Sequence, residues 1–266
     1  MSVPVSAPAG SSLSVFLTMY LRALRESRRI ILAIAAVPLL VPIFMVLVFA
    51  PAFGNILLTT GQLGSESYVQ YLAPGAILTA MMLPFTASVS VAVERQSGFY
   101  DRMRISPMGP RYSNLARRAA DTTKLAGFAT VMVLVSWLAG AEIHNWPMVI
   151  LLGIGMAALW GFAYSGLSFA VCLRTGRAEI AEGILPIFYP LLLVSSAYVP
   201  LDQLPGWMQT LATYNPLTYL ADAIRGAYVG NVEARPLVIA ILSTLGLIAV
   251  TQFLIARAER AVTTSV

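Results

Sequence analysis

The stretch Pro190-LLLVSSAYV-Pro200-LDQL-Pro205-GWMQTLATY-Asn215-Pro216-LTYLA-Asp222-AI-Arg225 decides how this chain is read. It opens as an apolar run and is then broken by Pro200 and Pro205. Beyond the breaks it carries Trp207, Tyr214 and Tyr219, residue types favoured where a bilayer meets water. Leu201 to Arg225 is too apolar for a solvated loop and too polar to span hydrocarbon. Pro205 sits at the start of one short helix, and Asn215-Pro216 ends it, because a residue before proline is pushed out of helical geometry. Two short helices are therefore predicted, with Asp222 and Arg225, three apart, paired on one face.

The rest of the chain agrees with a membrane protein. Of 266 residues, 58% are hydrophobic and only 11% charged, with a mean hydropathy of +0.77. A soluble domain carries about 25% charged residues. Apolar runs near the roughly 20 residues needed to cross a bilayer recur at Ile30–Phe49, Val69–Val93, Thr122–Gly140, Pro147–Leu173, Gly183–Val199 and Pro236–Ala256. The expected fold is all-α, with six transmembrane helices. Residues 1–12 read as a disordered tail with no cleaved signal peptide. Residues 13–266 read as one membrane domain.

All 17 basic residues except Arg225 and Arg235 fall on one side of these spans. The positive-inside rule puts that side, and both termini, in the cytoplasm of a multi-pass cell-membrane protein. It also makes the net charge of +5 a topology signal, so no nucleic-acid partner is expected. Leu13 to Arg29 is amphipathic. Leu13, Phe16, Leu17, Tyr20 and Leu24 share one face, as suits a helix lying on membrane lipid. It also fits an extension of the first span. Gly153, Ala157, Gly161 and Ser165 recur every four residues, a face for close helix packing within the chain or between two copies.

No catalytic constellation is visible. Cys172 is the only cysteine, and His144 with Glu142 is too small a set for a metal site. Catalytic, cofactor and metal residues are therefore expected to be none. The only lysine, Lys124, follows Asp121-Thr-Thr and not a glycine-rich phosphate loop. If ATP powers this protein, ATP and Mg belong to another polypeptide. Asp121, Lys124, Glu179 and Glu182 are expected near the cytoplasmic mouth, and no buried acid is expected in mid-span. This disfavours an ion-gradient-driven secondary exporter. A membrane-embedded transferase would need clustered His, Asp or Glu, and the outer loops offer only scattered ones.

The loop 94–118 carries the second motif. Between Gly98 and Pro107 charged and apolar residues alternate, which suits a short helix with Phe99, Met103 and Ile105 on one side. Such a helix fits a groove on a partner, with arginines at the rim. An ordinary topology-fixing basic loop fits equally well.

At these two motifs the chain resembles an integral-membrane permease subunit of the type-2 ABC transporter family, the class of the daunorubicin-resistance exporters. The first motif matches at Glu94-Arg95, Gly98, Asp101-Arg102 and Ser106-Pro107. The second matches at Pro190, Ser195-Ser196, Pro200, Leu204-Pro205, Trp207, Asn215 to Tyr219, Asp222 and Arg225. Two departures are Leu115-Ala116-Arg117, where the family often has a glycine, and Asp101, where glutamate is common. The resemblance implies that Glu94, Gly98, Phe99, Asp101, Arg102, Met103, Ser106 and Pro107 couple to a separate ATP-binding-cassette ATPase subunit. It implies that Pro200, Pro205, Trp207, Asn215, Pro216, Tyr219, Asp222 and Arg225 lie in a re-entrant outer segment, 200–225. A second permease subunit, identical or related, would complete the path for an exported drug, antibiotic, lipid or glycolipid.

Overall fold

In the computed structural model, which describes residues 12–34, 36–52, 54, 67–82, 86–104, 110–184 and 188–264, every regular element is a helix, and no strand occurs among the described residues. In chain order the helices are α1 Ser12–Ile34, α2 Ala36–Phe44, α3 Tyr68–Ala80, α4 Thr86–Gln96, α5 Phe99–Arg104 and α6 Arg111–Leu138. They continue as α7 Trp146–Thr175, α8 Ala178–Ile184, α9 Phe188–Leu193, α10 Gly206–Tyr214, α11 Pro216–Val229 and α12 Ala234–Thr264. α2 runs on into a π-helical stretch, Met45–Phe49, and α7 contains another, Val149–Met156.

Helices α7 and α12 are each long and apolar enough to cross a membrane. Leu138, Leu151, Leu242 and Phe253 all point outward. In water such a surface would drive aggregation, whereas lipid tails solvate it.

Two apolar runs are subdivided. Val69–Val93 becomes α3 and α4, and Gly183–Val199 becomes the end of α8, the six-residue α9 and an irregular stretch. α9 stops at Leu193 because Ser195 turns its hydroxyl back onto the Leu192 carbonyl (2.5 Å) while accepting from the Ala197 N–H. A hydroxyl that competes for local backbone groups favours a turn over another helical turn.

The core has two parts. The larger joins α3, α6, α7, α9 and α11 through many alanines, among them Ala73, Ala129, Ala157, Ala221 and Ala227. Small side chains let helix backbones approach closely. The recurring small residues of α7 belong here: Gly153 faces Ile77 and Ile224, and a Cβ on Gly161 would run into Leu125 of α6. That face therefore packs within the chain. The smaller part joins α4, α5, α7 and α12 around Tyr100, Phe169, Leu173 and Ile255.

α1 lies along α6, tied by a hydrogen bond between Tyr20 and Thr123 (2.8 Å). Its amphipathic face divides. Phe16, Tyr20 and Leu24 are half-buried, while Leu13, Leu17 and Leu21 remain exposed.

Charge is buried where α4, α6, α7 and α12 meet. Asp121, 1% exposed, accepts the Ala87 N–H at the start of α4 (2.9 Å) and pairs with Lys124. A carboxylate at a helix N-terminus satisfies an orphan donor and meets the positive end of the dipole. Arg118, 2% exposed, donates to Gln252 (2.8 Å) and to the Phe162 carbonyl (2.9 Å), its guanidinium lying 4.0 Å from the Phe162 ring centre.

Gly75 of α3 marks the tightest approach to the irregular stretch. A Cβ there would sit 2.6 Å from the Ala197 carbonyl oxygen, a backbone atom that cannot swing aside. Gly75→Val is expected to cost about 1–3 kcal/mol through overpacking. Thermal unfolding of the detergent-purified protein measures it, with Gly127→Val, which meets open space, as the control.

Candidate functional sites at the two motifs

The first motif is built on a turn. α4 ends at Gln96, and Gly98 adopts φ +68°, a conformation that costs other residues a Cβ clash. This sends the chain straight into α5. On α5, Phe99 is 45% exposed and Arg102 is exposed, while Tyr100 is 1% exposed and Met103 packs against the smaller core. Phe99 and Met103 line one small cavity, with Phe99 the more exposed of the two. Met103 is an inward anchor together with Tyr100, which the sequence pattern did not single out.

Glu94 is also turned inward. Arg117 grips its carboxylate with both terminal nitrogens (2.5 and 2.6 Å), a bidentate pair that is strong and geometrically specific. The pair locks α4 to α6. Next to it, Arg95 donates to the Leu173 and Arg174 carbonyls and Gln96 to the Gly176 carbonyl, fixing the end of α4 to the end of α7. Glu94 therefore braces the motif, its carboxylate held by Arg117. Asn114 of α6 donates to the Tyr100 hydroxyl (3.3 Å) and to Glu259 of α12 (3.0 Å). Met19 and Arg22 of α1 line one small cavity with Glu94, Phe99, Met103 and Arg117, so α1 flanks the same seam. Asp101 lies on α5. Ser106, Pro107 and Ile105 lie outside the described residues.

The second motif centres on Asn215. It caps both helices, ending α10 and starting α11 with extended backbone (φ −80°, ψ 119°). Its Oδ1 accepts the Leu217 N–H (3.0 Å), and Pro216 supplies the first helical position, where no N–H is needed. Its Nδ2 donates to the Leu191 and Val194 carbonyls (2.5 and 2.7 Å), groups left open where α9 stops. Pro205 is the N-cap of α10 and Pro200 precedes a short 3-10 turn, Leu201–Gln203.

Asp222 and Arg225 pair as expected (2.6 Å), and the pair reaches further. Ser196 donates its hydroxyl to Asp222 (2.7 Å), and Arg225 and Tyr71 both donate to the Ser196 carbonyl (2.6 and 2.9 Å). Arg225 also lies over the Tyr71 ring, 3.9 Å from its centre. Thus α3, the Ser195-Ser196 break and α11 meet at one partly buried ion pair. Trp207 and Tyr214 of α10 project outward, 66% and 84% exposed, and Tyr219 donates to the Thr213 carbonyl (2.7 Å).

The described residues hold no group of three His, Cys, Asp or Glu able to bind a metal. The first motif presents an exposed six-residue helix on a braced frame; the second clamps three broken helices together.

The sequence profile of the ABC-2 type transporters matches residues 14–229, a span that contains both motifs. The chain belongs to the ABC-2 type transporter family. One relative is named "Probable doxorubicin resistance ABC transporter permease protein DrrC", from Mycobacterium tuberculosis. It is 25% identical over 224 residues, covering 84% of this chain and 79% of the relative. A daunorubicin resistance ABC transporter permease protein of Streptomyces coeruleorubidus is 24% identical over 213 residues, 79% of this chain and 74% of its own length. A protein named "Probable multidrug ABC transporter permease", from Escherichia coli, is 23% identical over 164 residues, 60% of this chain and 44% of its own length. The chain is an ABC transporter permease, a membrane protein whose relatives are named for drug resistance.

Arg117→Ala in this permease leaves Glu94 partly buried without its partner and is expected to cost about 3 kcal/mol, with Glu94→Gln in the same chain recovering part of that loss. Asn215→Ala removes a cap and two buried donors together, for an expected loss of about 2–4 kcal/mol. Thermal unfolding midpoints of the purified variants measure both.

Proposed function

We propose that this permease exports a hydrophobic or amphipathic molecule, a drug, antibiotic, lipid or glycolipid, driven by a separate ATP-binding-cassette ATPase subunit that docks on α5. The observation that carries the reading is the contrast on α5 itself. Phe99 and Arg102 are offered outward, while Tyr100, Met103 and the Glu94–Arg117 pair fix the helix to the membrane domain. An exposed aromatic with an arginine beside it is the composition of a binding hot spot. The rigid frame behind it lets a push on α5 move α4, α6 and α7 together.

In this reading ATP and Mg bind only the partner, and no reaction is catalysed by this chain. Its relatives are named permeases of drug-resistance transporters, which supports an apolar cargo. The chain crosses the cell membrane six times with both termini in the cytoplasm; the arginine bias supports that orientation. The segment 200–225 enters the outer leaflet and turns back within it. Helices α10 and α11, of 9 and 14 residues, are both shorter than the roughly 20 residues a span needs, which supports the re-entrant reading. A second permease, identical or related, encloses the path, and membrane lipid covers the exposed apolar faces. Asp121, the buried acid that an ion-driven exporter would require, is already committed to Ala87 and Lys124.

The test uses the permease reconstituted with its ATPase subunit in liposomes. Phe99→Asp is expected to lower retention of the ATPase about tenfold, with an unfolding midpoint like that of the starting protein. Unchanged retention and turnover would remove α5 as the docking element. For sidedness, reporter fusions at residues 145 and 264 should report opposite faces, 264 cytoplasmic. The same face for both would overturn the topology.

A further inference from the structure

Resting on the reading of α5 as the docking helix, we infer that the last turns of α12 belong to the coupling machinery, with Glu259 as the positioning residue that holds α5 in place.

Helix α12 has 31 residues, about 46 Å at 1.5 Å per residue, well beyond the roughly 30 Å of a hydrocarbon core. Its final turns change character. Ile255, Ala258 and Val262 fall on one buried face, while Arg257 and Arg260 are exposed. That buried face is not part of the larger core. It belongs to the same apolar cluster as Tyr100, with Met103 packed against it.

A polar chain reinforces this contact. The Asn114 side-chain amide carries two N–H groups, and the structure gives it two acceptors, the Tyr100 hydroxyl and the Glu259 carboxylate. The carboxylate fixes the rotation of the amide, and the amide fixes the hydroxyl of the residue that roots α5. A helix of six residues has almost no stability of its own. Its position is set by what grips Tyr100, and that grip comes from α6 and α12 jointly. A force on Phe99 or Arg102 is therefore delivered to α12 as well as to α6. The family match ends at residue 229, before α12 begins at Ala234.

Arg111 also approaches Glu259 (3.7 Å), but its side chain is 85% exposed and solvent screens that pair. The two roles of Glu259 separate by substitution. Glu259→Gln keeps an oxygen that accepts from Asn114 and loses the charge; Glu259→Ala loses both.

The experiment compares these variants in the permease co-purified with its ATPase subunit, and separately, in the permease alone, with spin labels at Arg102→Cys and Arg257→Cys. Glu259→Ala is expected to retain the ATPase within about twofold and to leave KM for ATP unchanged, while kcat falls about fivefold or more and the label-to-label distance distribution broadens. Glu259→Gln is expected to restore both. An unchanged kcat and an unchanged distance distribution in Glu259→Ala would overturn the role of Glu259, as would failure of Gln to rescue. If the parent permease binds no ATPase, the docking reading fails instead. The distance measurement needs no partner and still decides whether Glu259 positions α5.

Discussion

Charge taken out of water persists only where it is paired, and in this permease the few charges withdrawn from solvent decide which helices hold together. Glu94–Arg117 joins α4 to α6, Asp121 joins the start of α4 to α6, and Asp222–Arg225 joins α11 to the Ser195-Ser196 break. Removing one partner of a fully buried pair typically costs about 3–5 kcal/mol, and less where, as in the Glu94–Arg117 and Asp222–Arg225 pairs, solvent still reaches the charges. The alanine-rich core between them is close-packed yet featureless. Its small residues permit many relative placements of helices, and the ion pairs select one.

The two motifs use this constraint differently. At Gly98 the Glu94–Arg117 pair lies behind α5, and the exposed side of α5 carries Phe99 and Arg102. At Asn215 the Asp222–Arg225 pair lies inside the junction, and side chains of the motif hold it together: Asn215 takes the carbonyls of α9, and Ser196 meets Asp222 and the Thr218 carbonyl. Backbone that leaves helical geometry at membrane depth is tolerated only when its polar groups find such partners.

Local features were legible in the sequence. The Gly98 turn, the short helix after it, the Asn215-Pro216 break and the Asp222–Arg225 pair all rest on neighbours within a few residues, and backbone rules govern them. The amphipathic α1 was legible for the same reason, although only Leu13 and Leu17 of its assigned face stay exposed, because Phe16, Tyr20 and Leu24 find α6. Long-range partners were not legible. Arg117 lies 23 residues from Glu94, and Glu259 lies 145 residues from Asn114; no periodicity links them. For that reason the Arg117 brace on Glu94 and the anchoring role of Tyr100 went unnoticed. Hydropathy alone also counted Val69–Val93 and Gly183–Val199 as single runs, since it registers apolar content and not the hydroxyls of Ser195 and Ser196 that end α9 early.

The central claim is that the Gly98 motif faces an ATPase and the Trp207 motif does not. Photo-crosslinking from a reactive residue at position 99, and separately at 207, in membranes holding both subunits tests it most directly. An adduct to the ATPase from position 99 and none from 207 is the predicted result. No adduct from 99, or an adduct from 207, would contradict the account.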